Sequence, residues 1–150
     1  MPPEIIPDLD SVSRLLFEPS MRREDQDIFW ENVFQFPTAA GGCESVIWRQ
    51  YAVSISDVHG LGCEKQTADR NKGRNQSTYF GAITGNVGEI RAIRSASGIG
   101  FTIVHVPGDG VFHAHVAFSP GSKKNDRAEL KVLLRSKFGA LEAHACAPDR

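Results

Sequence analysis

Long apolar runs are missing from this sequence. No stretch of its 150 residues approaches the ~20 apolar residues that a membrane-spanning helix needs. The opening, Met1 to Asp10, is acidic and lacks the basic-then-apolar pattern of a secretory signal. Cysteine is scarce. Cys43, Cys63 and Cys146 are odd in number and far apart, which gives neither a disulfide framework nor a Cys-x-x-Cys metal knuckle. A reducing cytoplasm is the simplest compartment for such a chain. A surplus of either charge sign is also absent, since 17 Lys and Arg stand against 18 Asp and Glu for a net charge of −1. That balance argues against a long disordered tail or a highly charged polyanion binder, and no Gly-x-y period suggests a fibre.

What is there suits one domain over residues 1–150, with 41% apolar and 23% charged residues. Residues 1–12 hold three prolines and no periodicity, so they read as an extended or frayed arm. The near-zero total hides an asymmetry. Residues 1–44 carry −6 and residues 45–150 carry +5. Either the basic part meets an anionic partner, or the acidic segment packs on it, or the charges are simply solvated.

Along the chain, Ser13 to Phe17 is a short apolar run closed by Pro19, which suggests an edge strand. Asp25 to Phe36 reads as a helix with Asp25 and Asp27 at its N-terminus, stopped by Pro37. Ser45 to Ala52 has the β-branched and aromatic content of a strand. Ser54 with Asp57 three residues on is a capping box, opening a helix to about Arg70. Four strand-length runs follow, at 78–84, 87–95, 99–106 and 111–118. Gly85-Asn86, Ala96-Ser97-Gly98 and Pro107 to Gly110 separate them like hairpin turns. Asn125 or Asp126 then caps a helix with an apolar stripe through Leu130, Val132, Leu133, Leu134 and Phe138, ended by Gly139. The expected architecture is α+β: a mainly antiparallel sheet of four to six strands with a C-terminal β-meander, and two or three helices packed on it.

Two features could carry chemistry. The first is His113-Ala114-His115 on the last clear strand. Side chains alternate across a strand, so the histidines share a face while Ala114, Val116, Phe112 and Phe118 take the core side. Symmetry about Gly108-Asp109 would place His113 opposite Val104 and His115 opposite Thr102, with His105 on the core side. Two imidazoles on one face can hold a divalent transition metal if a third ligand arrives. Glu89, Asp109, His59 and His144 are the candidates by type. Ala117 and Ser119-Pro120 stand where cupins, metallo-β-lactamase-like hydrolases and histidine-triad proteins need further ligands. Phe112 to Val116 is similar to the His-hydrophobic-His strand of rolling-circle and relaxase endonucleases. That resemblance implies a metal ion and a tyrosine nucleophile, but Tyr51 and Tyr79 both read as strand residues.

The second feature is basic. Arg70, Lys72 and Arg74 in a polar loop, with Lys123, Lys124 and Arg127 at a helix start, suit phosphate contacts. Residues 65–137 as a whole carry +7. No aromatic interleaving accompanies them. Phe29, Trp30, Phe34 and Phe36 would offer a protein partner or a second copy an apolar patch if their segment were loosely docked. His59 and Cys63 share a helical face, where Cys63 reads as a small buried hydrophobe. The sequence therefore points to a binding domain without catalysis or cofactor, acting through a protein, nucleic acid or phosphorylated ligand. Its competitor is a metal-dependent phosphodiesterase or nuclease built on His113 and His115.

Overall fold

Ser54 sets the longest helix. Its side chain accepts from the Asp57 backbone N–H at 3.0 Å, while the Asp57 carboxylate accepts from the Ser54 N–H. The helix that follows, α2 (Ile55–Asn71), leans on one strand of a six-stranded antiparallel sheet. The structure, a computed structural model, describes residues 2–23, 26–38, 41–74 and 77–148. The strands are β1 (Ser11–Glu18), β2 (Cys43–Trp48), β3 (Thr78–Asn86), β4 (Phe101–His105), β5 (His113–Phe118) and β6 (Glu142–Ala143), in the spatial order β4-β5-β2-β1-β3-β6. Besides α2, the helices are α1 (Trp30–Val33), α3 (Val87–Arg91) and α4 (Lys124–Arg135). The α+β class expected from the sequence is what the chain adopts. None of its described helices is long and apolar enough to cross a membrane.

Alternation along the strands sorts the core into two sides. Val12 and Leu16 of β1, Val46 and Trp48 of β2, Ile103 of β4, and Ala114 and Val116 of β5 face one way. Leu130 and Leu134 of α4 and Val33 of α1 close over them. The opposite face carries Leu15, Ile47 and Ala82, against which α2 sets Val58 and Leu61. Trp48 and Tyr79 are the largest fully buried side chains, and truncating either to Ala would cost about 3–5 kcal/mol.

Several expectations change on contact with the structure. β1 is central, not an edge: it pairs with β3 along its length and with β2 at its start. Only Trp30–Val33 of the expected 25–36 helix is helical, and Asp25 lies outside the described residues. The aromatic spacing there serves the core instead. Phe34 meets Phe138, and Phe36, with φ at +52°, sits against Phe118 and Phe101. Of the patch expected of a loosely docked segment, Phe34 and Phe36 are buried, while Phe29 and Trp30 are half-buried. Residues 87–95 form α3 and its C-terminal extension, not a strand. Asn86 accepts from the Glu89 N–H at 2.8 Å, and Val87, Ile90 and Ile93 are buried at three-residue spacing. The meander is thereby reduced to one hairpin, β4–β5, while β3 lies near the far edge.

The N-terminal arm is extended and tied down. Ile6 is buried, the Glu4 N–H donates to His105 Nδ1 at 3.0 Å, and Arg91 donates to the Ile6 carbonyl and pairs with Asp8. α4 begins at Lys124, two residues before Asp126. The Asp126 carboxylate accepts from the Lys123 N–H and from Ser95 and Ser97. Cys63 and Cys146 form a disulfide, against the reading of Cys63 as a lone buried hydrophobe. The returning C-terminal strand brings residue 146 beside α2 across 83 positions, a closure that spacing in sequence does not reveal.

Candidate metal centre on the uncovered sheet face

α2 covers the β1–β3 part of its face and Ile47 of β2, and leaves the strip with Ser45 of β2 and Thr102 and Val104 of β4 exposed. On that open part stand His113 and His115, whose ring centroids are 4.8 Å apart at a 79° interplanar angle. The hairpin register differs from the symmetric expectation by two residues. Val104 pairs with His115, and His105 with Ala114. An even slip preserves the faces, so the histidines remain together and His105 remains on the core side, 3% exposed. His105 is fully engaged, with Glu4 N–H at one ring nitrogen and the Val111 carbonyl 2.7 Å from the other.

The slip comes from the turn. Pro107–Asp109 makes a single 3-10 turn, and Gly110 follows with φ at +134°, a conformation that suits glycine. Its carbonyl accepts from the His113 N–H at 2.9 Å. This longer turn folds Asp109 back over the start of β5. Asp109, His113 and His115 each offer one ligand atom, and these atoms all lie within 4.8 Å of one another. The other candidate third ligands go elsewhere: Glu89 to α3, His59 and His144 to the disulfide.

His113 Nδ1 is buried and has no hydrogen-bond partner. Asp109 Oδ2 stands 3.6 Å away, too far for a hydrogen bond. Two ligands each about 2.1 Å from one tetrahedral ion stand roughly 3.4 Å apart, so the gap suits a shared cation. Burial, then the neighbouring His115 and the Lys65 ammonium, push the His113 pKa below its ordinary value, with Asp109 opposing. The ring is therefore neutral at physiological pH, the form that binds metals. His115 Nδ1 meets Cys43 Sγ at 3.4 Å, which leaves its other nitrogen for a ligand. Burial, and then Glu44, raise the Cys43 pKa and keep the thiol protonated.

Beside this group lies a cavity of about 500 Å³. Its walls are mainly apolar, with Leu15, Phe17, Ile47, Leu61 and Phe112 contributing, and Glu64, Lys65, Asp109 and His113 supply charge and polarity. Phe112, expected on the core side with Ala114, packs instead with the α2-side cluster, because β5 starts only at His113. Sequence reasoning missed the cavity and its α2 wall. The apolar spacing of Leu61 and Ala68 with Glu64 and Lys65 was the only signal for it.

The basic residues do not converge. Arg70 donates to the Ser77 carbonyl and Thr78, Arg74 pairs with Asp69, and Lys72 caps the end of α2. Lys123, Lys124 and Arg127 stand at the start of α4 on the opposite side of the sheet. The two groups thus form no common patch. The tyrosines do not join the histidine pair either. Tyr51 donates to Glu4 and Tyr79 meets His59 at 2.8 Å, and β5 is next to the sheet edge rather than central. The nucleophile implied by the endonuclease resemblance is absent from this site among the described residues. No family model, curated protein or solved structure matches the chain.

Proposed function

We propose that the protein binds one divalent transition-metal ion through Asp109, His113 and His115 and uses it on a small ligand seated in the adjoining cavity. The convergence of these three ligand atoms, two of whose residues, Asp109 and His113, also line the cavity, carries this reading. Three protein ligands leave coordination positions open, and an ion so held polarises a carbonyl or phosphoryl oxygen or activates a water. Imidazole and carboxylate ligands suit zinc, iron or manganese. The volume matches small-molecule sites, and the apolar walls call for a ligand with an apolar body. Lys65 lines the cavity beside Glu64 and Asp109, and the bound ion would add the positive charge that favours an anionic end. The reaction class that fits is hydrolysis of a small phosphoester or carboxylic ester, in place of the nucleic-acid cleavage expected from the His-x-His strand alone.

The alternative, a non-catalytic domain that binds a protein partner or takes an anionic ligand on a basic surface, draws less support, because Arg70, Lys72 and Arg74 and the group Lys123, Lys124 and Arg127 stand on opposite sides of the sheet. A cytoplasmic location bears on the cysteines rather than on this site, since disulfides are rare in reducing compartments. The test uses the oxidised protein loaded with zinc or manganese and chromogenic phosphate and carboxylate esters. The reading expects turnover that needs the metal and disappears in Asp109→Ala. Equal turnover with and without metal, or in the variant, would overturn it.

A further inference from the structure

We propose that Cys63, His144 and Cys146 form a second divalent-metal site, based on thiolates, that exists only when the Cys63–Cys146 disulfide is reduced. The ligand atoms of these three residues lie within 4.8 Å of one another. Two thiolates and an imidazole are a donor set that favours zinc, with a fourth position open to water.

Two elements bring these residues together. Gly62 lets α2 approach β3, because a Cβ there would stand 2.5 Å from the Tyr79 ring, and this seats Cys63 close to the sheet. β6 pairs Ala143 with Gly81, and the His144 N–H extends the ladder by donating to the Phe80 carbonyl at 3.0 Å. That registered backbone holds His144 and Cys146 over α2. His59, one turn before Cys63, stacks on the His144 ring at 4.3 Å and 12°. His59 is not among the three residues whose ligand atoms converge, and with its Nδ1 engaged by the Tyr79 hydroxyl it supports the orientation of the His144 ring. Cys63 and Cys146 are half-buried and His144 is exposed, so both a reductant and an ion have access.

The chemistry balances with a dithiol as reductant. Its thiolate attacks one sulfur of the pair and breaks the S–S bond. The resulting mixed disulfide is resolved by the second thiol, and the reductant leaves as its own disulfide. Two electrons and two protons end on Cys63 and Cys146. A zinc ion then displaces the two thiol protons and takes both thiolates. Because disulfide and metal use the same sulfurs, the two states exclude each other. In a reducing compartment this corner of the molecule would hold an ion, and in an oxidising one a covalent bridge. β6 lies at the opposite edge of the sheet from the β4–β5 hairpin, so this site is separate from Asp109, His113 and His115.

The experiment adds cobalt(II) to the full chain, oxidised or reduced with a dithiol and desalted without air. Thiolate-to-cobalt charge-transfer absorption reports sulfur ligation, and it is read in a Cys43→Ser background, which removes the thiol beside His115, so that it is blind to the Asp109 site and the two proposals fail separately. The band is expected in the reduced chain only, and zinc should erase it. His144→Ala should weaken zinc binding by at least about tenfold, the loss typical of even an outer partner, while still forming the disulfide when oxidised. Far-UV circular dichroism follows the fold throughout. A reduced chain that unfolds and regains its spectrum on adding zinc also supports the site. A reduced chain without the band, whether folded or left unfolded by zinc, overturns it, as does a band of equal strength in the oxidised chain.

Discussion

Asp109 Oδ2 lies 3.6 Å from His113 Nδ1 across the turn that joins β4 to β5. The nitrogen is buried and unpartnered, the carboxylate is exposed, and His115 stands two residues further along the same face. The pair is thus too distant to satisfy itself and close enough to share a cation. Each group also has a separate structural context, so their contributions can be separated by substitution.

Removing the exposed ligand should spare the fold. Asp109→Ala deletes a side chain that is 64% exposed and engaged only at that long distance. Thermal unfolding of the metal-free variant should match the wild type, while zinc affinity by calorimetry falls at least about tenfold. An unchanged affinity would remove Asp109 from the site.

Acid should weaken the metal-free protein through His113. Its folded-state pKa is lowered by burial, His115 and Lys65, against Asp109. The unfolded chain therefore takes up this proton first as pH falls. The stability tied to the neutral ring is complete above the unfolded value of about 6.5 and declines as pH drops toward the lower folded value. His59 is shifted in the same direction, mainly by burial and then by His144. Urea unfolding across this range should show the decline, and His113→Gln should reduce its slope. A steeper slope in that variant would contradict the assignment.

Gly62 is a contact, not a flexible joint. Gly62→Ala would drive a methyl into the buried Tyr79 ring and force α2 away from β3. A loss of about 1–3 kcal/mol is expected from overpacking. Gly60→Ala, where a Cβ meets nothing within 4 Å, should stabilise the helix by up to about 1 kcal/mol. Denaturant midpoints of the two variants check the contrast.

The Cys63–Cys146 bridge closes a long loop, with 83 positions between its ends. Loop-closure entropy assigns it about 4.5 kcal/mol, so the Cys63→Ser/Cys146→Ser variant should unfold at markedly lower urea than the oxidised wild type. The same midpoint for both would mean that the bridge constrains nothing in the unfolded chain.

Local chemistry was legible in the sequence and long-range placement was not. The Ser54–Asp57 box, the α4 stripe and the shared face of His113 and His115 follow from spacing within a few residues, and the structure keeps them except for Val132 of the stripe, which is exposed. Residues 87–95 misled because β-branched content was weighed above period. Asn86 as a cap and Val87, Ile90 and Ile93 at three-residue spacing were already the marks of a helix. Asp109 is one of four third ligands possible by type, and only the real turn, with Gly110 at positive φ, singles it out by folding it over His113. No local pattern could bring Cys146 to Cys63 or separate the two basic groups, because both depend on the order of strands in the sheet.

The central claim is tested most directly by the metal content of the oxidised protein. The chain is loaded with zinc, desalted and analysed for bound ion, beside Asp109→Ala/His113→Ala/His115→Ala. With the disulfide intact, Cys63 and Cys146 contribute no ligand. The account predicts about one equivalent in the wild type, as three protein ligands would hold, and none in the triple variant. No retained zinc in the wild type, or the same amount in both, would contradict it.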